Sequence, residues 1–191
     1  MALAIPPFVE TSSHGLLALD SISQDISNQL IHLAHEIDPI AGRVQSKGTK
    51  KYKSVVNIRD VQAYIIHEEL EWVDEFVIQC AIEANKTFRY NISGLLERPQ
   101  LLRYTAPSNG YDWHSDIGNG DASTRKISLT IILQSNYEGG EFCVFTEGEQ
   151  VIPIQPLDCI AFSSFLPHRI NPITKGERWA LVAWIAGPSF L

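Results

Sequence analysis

Tyr111-Asp112-Trp113-His114-Ser115-Asp116 is the stretch on which the reading of this chain turns. It follows a Pro107-Ser108-Asn109-Gly110 turn and continues as an extended segment. Residues i and i+2 of such a segment project to the same face. His114 and Asp116 therefore present an imidazole and a carboxylate side by side, able to hold one metal ion from one direction. A third ligand has to come from elsewhere, and His168 is the candidate, just past the strand-like run Cys159–Ser163. The remaining histidines read as ordinary: His32, His35 and His67 fall in helical stretches, and His14 lies near the N-terminus. Taken alone, a His-x-Asp triplet is as readily a surface histidine beside a strand-end aspartate.

Outward from this stretch, the second half of the chain reads as short strands punctuated by turns. Leu101–Tyr104 precedes the proline turn, Ile127–Leu133 is a full apolar run, and Gly139-Gly140 closes it. Glu141–Phe145, Val151–Ile154, Cys159–Phe162 and Trp179–Ala186 complete the series. Short strands at this spacing predict a barrel or sandwich with helices packed outside it. The first half reads helical. Ile22, Ile26, Leu30, Leu33 and Ile37 recur at three-to-four spacing, with Ser23 as cap and Asp25 in the first turn. A second amphipathic stretch follows Asp60, with Leu70, Val73, Val77, Cys80, Ala81 and Ala84 on one face. Between the two lies a basic segment containing Arg43, Lys47, Lys50, Lys51 and Lys53, whose ends read as short strands around a turn at Ser46–Lys50. A cluster of this kind is either a solvated loop or a lid over a substrate.

Composition excludes several classes. The 191 residues carry 22 acidic and 15 basic side chains, a formal charge of −7, with 45% hydrophobic residues. One globular domain is the default at this length, and neither disorder nor a coiled coil is expected. An acidic chain of sequence pI near 5.3 is a poor match to phosphate backbones, so no nucleic-acid partner is expected. No apolar run reaches the roughly 18–20 residues that span a bilayer, and Pro6 and Pro7 interrupt the N-terminal stretch, so neither a membrane span nor a secretory signal is expected. Cys80, Cys143 and Cys159 are odd in number and widely spaced, which argues against a disulfide framework and for a reducing, cytoplasmic setting.

Two imidazoles and one carboxylate leave half of an octahedron open, the arrangement of non-haem Fe(II) oxygenases. Arg178 adds to this. In Arg178-Trp179-Ala180-Leu181-Val182-Ala183-Trp184, period two places Arg178, Ala180, Val182 and Trp184 on one face. An arginine opening so apolar a strand is costly to bury without an anionic partner. A ligand carboxylate is the natural one, and Ala180 leaves room for it. The other reading pairs Arg178 with Glu177 or with solvent.

Tyr104, Tyr111 to Asp116, Arg125 before a strand, Tyr137-Glu138-Gly139-Gly140-Glu141, and Pro167-His168 through Pro172-Ile173-Thr174-Lys175-Gly176-Glu177-Arg178 form an ordered set. As a set they resemble the 2-oxoglutarate- and Fe(II)-dependent dioxygenases of the prolyl-4-hydroxylase superfamily, in particular the PKHD-type hydroxylases and their phage-borne relatives. The resemblance is strong over residues 100–187 and looser before them.

The resemblance implies an α+β chain with a double-stranded β-helix (jelly-roll, cupin-like) core and supporting N-terminal helices. It implies one domain over residues 1–191, with 1–99 as helical support and basic hairpin and 100–187 as the catalytic core. It implies Fe(II) on His114, Asp116 and His168, with Arg178 binding the distal carboxylate of 2-oxoglutarate. Tyr104 falls where this superfamily often places a tyrosine lining the co-substrate site, although a packed strand tyrosine reads equally well. Trp184 matches a tryptophan near the iron, and Thr130 would add a hydroxyl if its face points inward. The implied reaction consumes O2 and 2-oxoglutarate, releases succinate and CO2, and hydroxylates a C–H bond, with ascorbate supporting activity. A prolyl residue in a peptide or protein is the implied substrate. The alternatives are a free amino acid, another residue, a nucleobase, or a cupin-like metal-binding or hydrolase protein. The basic segment matches in position a hairpin that closes over peptide substrates. At Pro156-Leu157-Asp158 the family usually shows Gly before the Asp, and a Leu there predicts a turn of a different type.

Overall fold

The computed structural model describes residues 16–19, 22–41, 44–45, 52–53, 61–67, 70–134 and 136–189. The N-terminal part contains β1 (Leu16–Leu19), α1 (Gln24–Ala34), β2 (Ile40–Ala41), β3 (Val44–Gln45), β4 (Tyr52–Lys53), β5 (Gln62–Ile65) and α2 (Glu71–Phe88). There follow β6 (Gly94–Leu95), β7 (Gln100–Thr105), β8 (Tyr111–His114), a 3-10 turn (Gly120–Thr124), β9 (Arg125–Ile132), β10 (Tyr137–Gly139) and β11 (Phe142–Phe145). The chain ends with β12 (Glu149–Ile152), β13 (Cys159–Ser163), β14 (His168–Ile170) and β15 (Ile173–Ala186).

Among the described residues the strands form a nine-stranded sheet in the order β1-β13-β9-β15-β7-β5-β2, with β10 and β6 also on β15. A four-stranded sheet, β12-β11-β14-β8, faces it, and β3 and β4 pair as a separate hairpin. All pairings are antiparallel, and β8, β14 and β11 alternate in space with distant partners in sequence, as in a jelly roll. The fold is thus the α+β β-helix sandwich expected from the sequence.

The large sheet is buried on both faces, and period two divides its side chains between two cores. Ile127, Leu129 and Ile131 of β9, Cys159 and Ala161 of β13, and Trp179, Leu181, Ala183 and Ile185 of β15 pack under the helices. Leu102 and Tyr104 of β7 and Ile160 and Phe162 of β13 point the other way, toward Phe142, Val144 and Ile170 of the small sheet. The helices use the stripes seen in the sequence: Leu30 and Ala34 from α1, and Val73, Val77, Ala81 and Ala84 from α2. Ser23 caps α1 by accepting from the Ile26 N–H, a contact worth about 1 kcal/mol. Within α1, the hydroxyl of buried Ser27 donates to the carbonyl of Leu133, tying the helix to the end of β9.

Several expectations change. The described residues after Asp60 are not helical until Glu71: β5 intervenes, pairing with β7 and β2. Tyr64 and Ile66 serve the helix-side core, and Val61 and Ala63 the inter-sheet core, so the run shows no polar alternation. His67 accordingly lies outside any helix. Arg178 does not open its strand, because β15 already runs from Ile173 through its pairing with β10. The turn at Leu157 keeps the left-handed backbone that a glycine would favour, with φ of 74°. It is held there by Leu157 N–H to Ile132 O (2.7 Å), by Ile22 N–H to Leu157 O (2.8 Å) and by packing on the helix-side core. The ends of the basic segment do form paired strands, β3 and β4; the turn expected at 46–50, and with it the lid reading, lies outside the described residues.

Candidate active site

The metal-ligand candidates meet because of how β8 and β14 pair. His114, the last residue of β8, is in register with His168, the first of β14. Their ring centroids are 4.1 Å apart. Asp116 sits just beyond β8, where its N–H donates to Ser164 O (2.9 Å) in the turn after β13. One ligand atom from each of His114, Asp116 and His168 lies within 4.8 Å of the others. His114 Nε2 is 3.7 Å from Asp116 Oδ1, and His168 Nε2 is 3.8 Å from Asp116 Oδ2.

The imidazoles are oriented from behind. His114 Nδ1 lies 2.7 Å from Asp112 O, and His168 Nδ1 lies 2.9 Å from Leu166 O. A carbonyl only accepts, so each Nδ1 carries a proton, and in the neutral ring it is the Nε2 lone pair that faces the centre. Tyr111 stacks on His114 with centroids 3.5 Å apart, and Phe162 packs against His168 at 4.7 Å. Burial alone would raise the Asp116 carboxyl. His168 and His114, the Ser128 hydroxyl and Arg125 outweigh it and hold the group at about 2. The histidines' part of that pull is exerted by the protonated rings; once they give up the Nε2 proton, an ionised carboxylate and two Nε2 lone pairs make a donor set that fits a divalent cation such as Fe(II).

Arg178 occupies the inter-sheet face of β15 and is 2% exposed. Its Nε donates to Gly140 O at 3.1 Å, and its guanidinium carbon lies 5.7 Å from the Tyr104 ring. No carboxylate of the described residues is within ion-pair distance of it. Glu177, the neighbour that offered the simpler explanation, points to the opposite face and pairs with Arg103. Gly140 is required for this arrangement: with φ of 69°, a Cβ there would stand 2.9 Å from Arg178 Cδ.

A cavity of about 470 Å³, including its open mouth, joins the histidine-aspartate cluster to Arg178. Tyr104, Thr130 and Trp184 all line it, as does Ala180, so every site residue named from the sequence reaches one space. Sequence reasoning missed Ser128, which donates to Asp116 Oδ2 at 2.6 Å, and singled out Arg125 without its role, which is to donate from Nη1 to Asp116 O at 3.1 Å. Counting back two residues from Thr130 would have placed Ser128 on the inward face.

Residues 99–186 match the family model described as the 2OG-Fe(II) oxygenase superfamily. That stretch, which holds His114, Asp116, His168 and Arg178, is thus similar to a 2OG-Fe(II) oxygenase domain. Among curated relatives of this superfamily, a PKHD-type hydroxylase of Thermosynechococcus vestitus is 29% identical over 135 residues, 67% of this chain and 60% of the relative. A PKHD-type hydroxylase of Alteromonas mediterranea is 32% identical over 106 residues, 49% of this chain and 47% of that one. The chain thus spans about half to three fifths of the length of these relatives. The oxygenase fold itself is shared with a Pseudomonas putida prolyl-4-hydroxylase (TM-score 0.70, 19% identity, 93% and 95% of the two chains). It is also shared with the viral collagen prolyl hydroxylase of Paramecium bursaria Chlorella virus-1 (TM-score 0.67, 19% identity, 92% and 98%). Among the described residues no helix is long and apolar enough to cross a membrane.

Proposed function

We propose that this protein is an Fe(II)- and 2-oxoglutarate-dependent dioxygenase that hydroxylates a prolyl residue of a peptide or protein. The observation that carries the reading is one cavity holding both a His-Asp-His cluster and a buried guanidinium with no carboxylate partner among the described residues. The first suits a divalent metal with open positions. The second suits the far carboxylate of a dicarboxylic co-substrate.

His114, Asp116 and His168 would hold the iron through Nε2, one carboxylate oxygen and Nε2. Iron with 2-oxoglutarate and O2 supplies the chemistry: oxidative decarboxylation to succinate and CO2, coupled to hydroxylation of a C–H bond. The chain's own residues bind, orient and exclude water. Arg178 would take the distal carboxylate in two parallel N–H···O bonds, its planar fork aimed by the bond from Nε to Gly140 O. Tyr104 and Thr130 would offer hydroxyls along the co-substrate, Ala180 leaves space for it, and Trp184 walls the cavity. Phe142 and Phe162 cover His168 and keep its surroundings dry.

A prolyl target is supported by kinship of fold. The Pseudomonas and chlorella-virus neighbours are prolyl hydroxylases, and a Trichoplax adhaerens prolyl hydroxylase of the same fold (TM-score 0.70, 19% identity) was solved with a peptide fragment of hypoxia inducible factor. Ascorbate is expected to sustain turnover. Anaerobic addition of Fe(II) and 2-oxoglutarate should give a metal-to-ligand charge-transfer absorption. In air, a library of proline-containing peptides should then yield a product heavier by one oxygen, read by mass spectrometry beside succinate release. An absent absorption would remove the oxygenase reading; succinate with oxygen on a residue other than proline would remove only the prolyl one.

A further inference from the structure

Ser128 stands on the cavity side of β9, two residues before Thr130, and is 1% exposed. Its hydroxyl donates to Asp116 Oδ2 at 2.6 Å. The same Oγ lies 3.0 Å from Oγ of Ser164, which is fully buried in the turn after β13. A serine hydroxyl has a single proton. Because Ser128 gives its proton to Asp116, the bond between the two serines must be donated by Ser164. The hydroxyls therefore point one way, from Ser164 to Ser128 to the carboxylate.

The backbone of Asp116 is fixed independently. Its N–H and that of Ile117 donate to Ser164 O at 2.9 and 3.0 Å. Its carbonyl accepts from Arg125 Nη1, and Arg125 is itself held over the Trp184 ring at 4.1 Å and paired with Glu97. With the main chain held on both sides, the remaining freedom of Asp116 is rotation of its carboxylate, and the serine relay acts on that freedom alone.

We propose that Ser128, backed by Ser164, is a positioning residue that reserves Oδ2 of Asp116 and leaves Oδ1 as the one oxygen offered to the metal. A carboxylate free at both oxygens can bind a cation through both. That would consume a coordination position that a chelating co-substrate and dioxygen need. The inference takes the nature of the co-substrate from the function proposed above, but the effect on metal binding stands without it.

The test is a Co(II) titration of the full chain, followed by visible absorption. Ser128→Ala should weaken Co(II) binding about 10- to 100-fold, the usual loss when a partner behind a metal ligand is removed, and should change the shape of the Co(II) spectrum. Ser164→Ala should lose less, the double variant no more than Ser128→Ala, and Ser128→Thr should stay near wild type. Binding by Ser128→Ala within twofold of wild type, with an unchanged spectrum, overturns the proposal. So does a loss matched by a fall in the thermal stability of the metal-free protein, since that is a structural role. If Ser128→Ala weakens Co(II) binding while the wild type gives no charge-transfer absorption with Fe(II) and 2-oxoglutarate, the oxygenase reading fails and the positioning role remains.

Discussion

Among the described residues Arg178 has one side-chain hydrogen bond, to a backbone carbonyl, and a cavity in front of it. Replacing it with Lys keeps the charge and loses the fork, so 2-oxoglutarate affinity should fall by about tenfold or more, a charged hydrogen bond being worth about 1.5–3 kcal/mol. Calorimetry should find metal affinity unchanged; equal loss of both would mean that Arg178 supports the fold instead. Leu157 is a residue-scale problem of another kind. Its left-handed backbone costs about 1–2 kcal/mol for a residue with a Cβ, set against its packing on the helix-side core. Leu157→Gly should therefore be at least as stable in urea as Leu157→Ala, whereas at an ordinary position glycine is the worse of the two. Residues that carry chemistry in an uncongenial context, such as Arg178 in an apolar strand or His114 beside Asp116, were legible in the sequence. Ser128 and Ser164 were not, nor was the contact that Gly140 makes with Arg178, because a small residue announces no role until its partner is known. The Leu157 turn was misjudged because tertiary hydrogen bonds can hold a backbone that local preference disfavours.

At the scale of elements, α1 and β15 make separate predictions. Ser27→Ala leaves the Leu133 carbonyl without its hydroxyl donor in a buried seam, and should cost about 1–3 kcal/mol in chemical denaturation. Across β7 and β15, Arg103 holds Glu177, and that bond, outweighing burial and helped by Trp179 Nε1 at 3.3 Å, keeps the Glu177 carboxyl below its usual range. A depressed carboxyl stabilises the fold above its unfolded value of about 4.3 and loses that contribution as pH falls toward the folded one. The pair is about a third exposed, so the loss is held to less than about 1 kcal/mol. Glu177→Gln should flatten the acid limb of the stability profile and leave the neutral-to-alkaline part parallel to wild type. Long, strongly patterned elements were readable: α1, the stripe of α2, β9 and β13. β5 was missed since a strand buried on both faces lacks alternation, and β14, with three residues, is too short to show any.

For the whole molecule, the two cores meet only through the large sheet, and the site lies in the one between the sheets. Metal that binds the folded chain and not the unfolded one should stabilise it by about 2.7 kcal/mol at a hundred times its dissociation constant. Asp116→Ala should abolish that gain in a thermal scan with Co(II), while Leu157 variants should keep it. The sandwich class and its outer helices could be inferred from strand rhythm; the division into two cores could not, because alternation tells which residues share a face without telling what each face meets. β15 carries both faces at once, with Arg178, Ala180, Val182 and Trp184 on one and Trp179, Leu181, Ala183 and Ile185 on the other. A slip of a single position would send an indole to the end of the cavity that Arg178 occupies and a guanidinium into a greasy interior. Errors of alignment in this strand are thus rejected twice, once by the helices and once by the loss of ligand binding, and a chain that binds its ligands has already certified its own register.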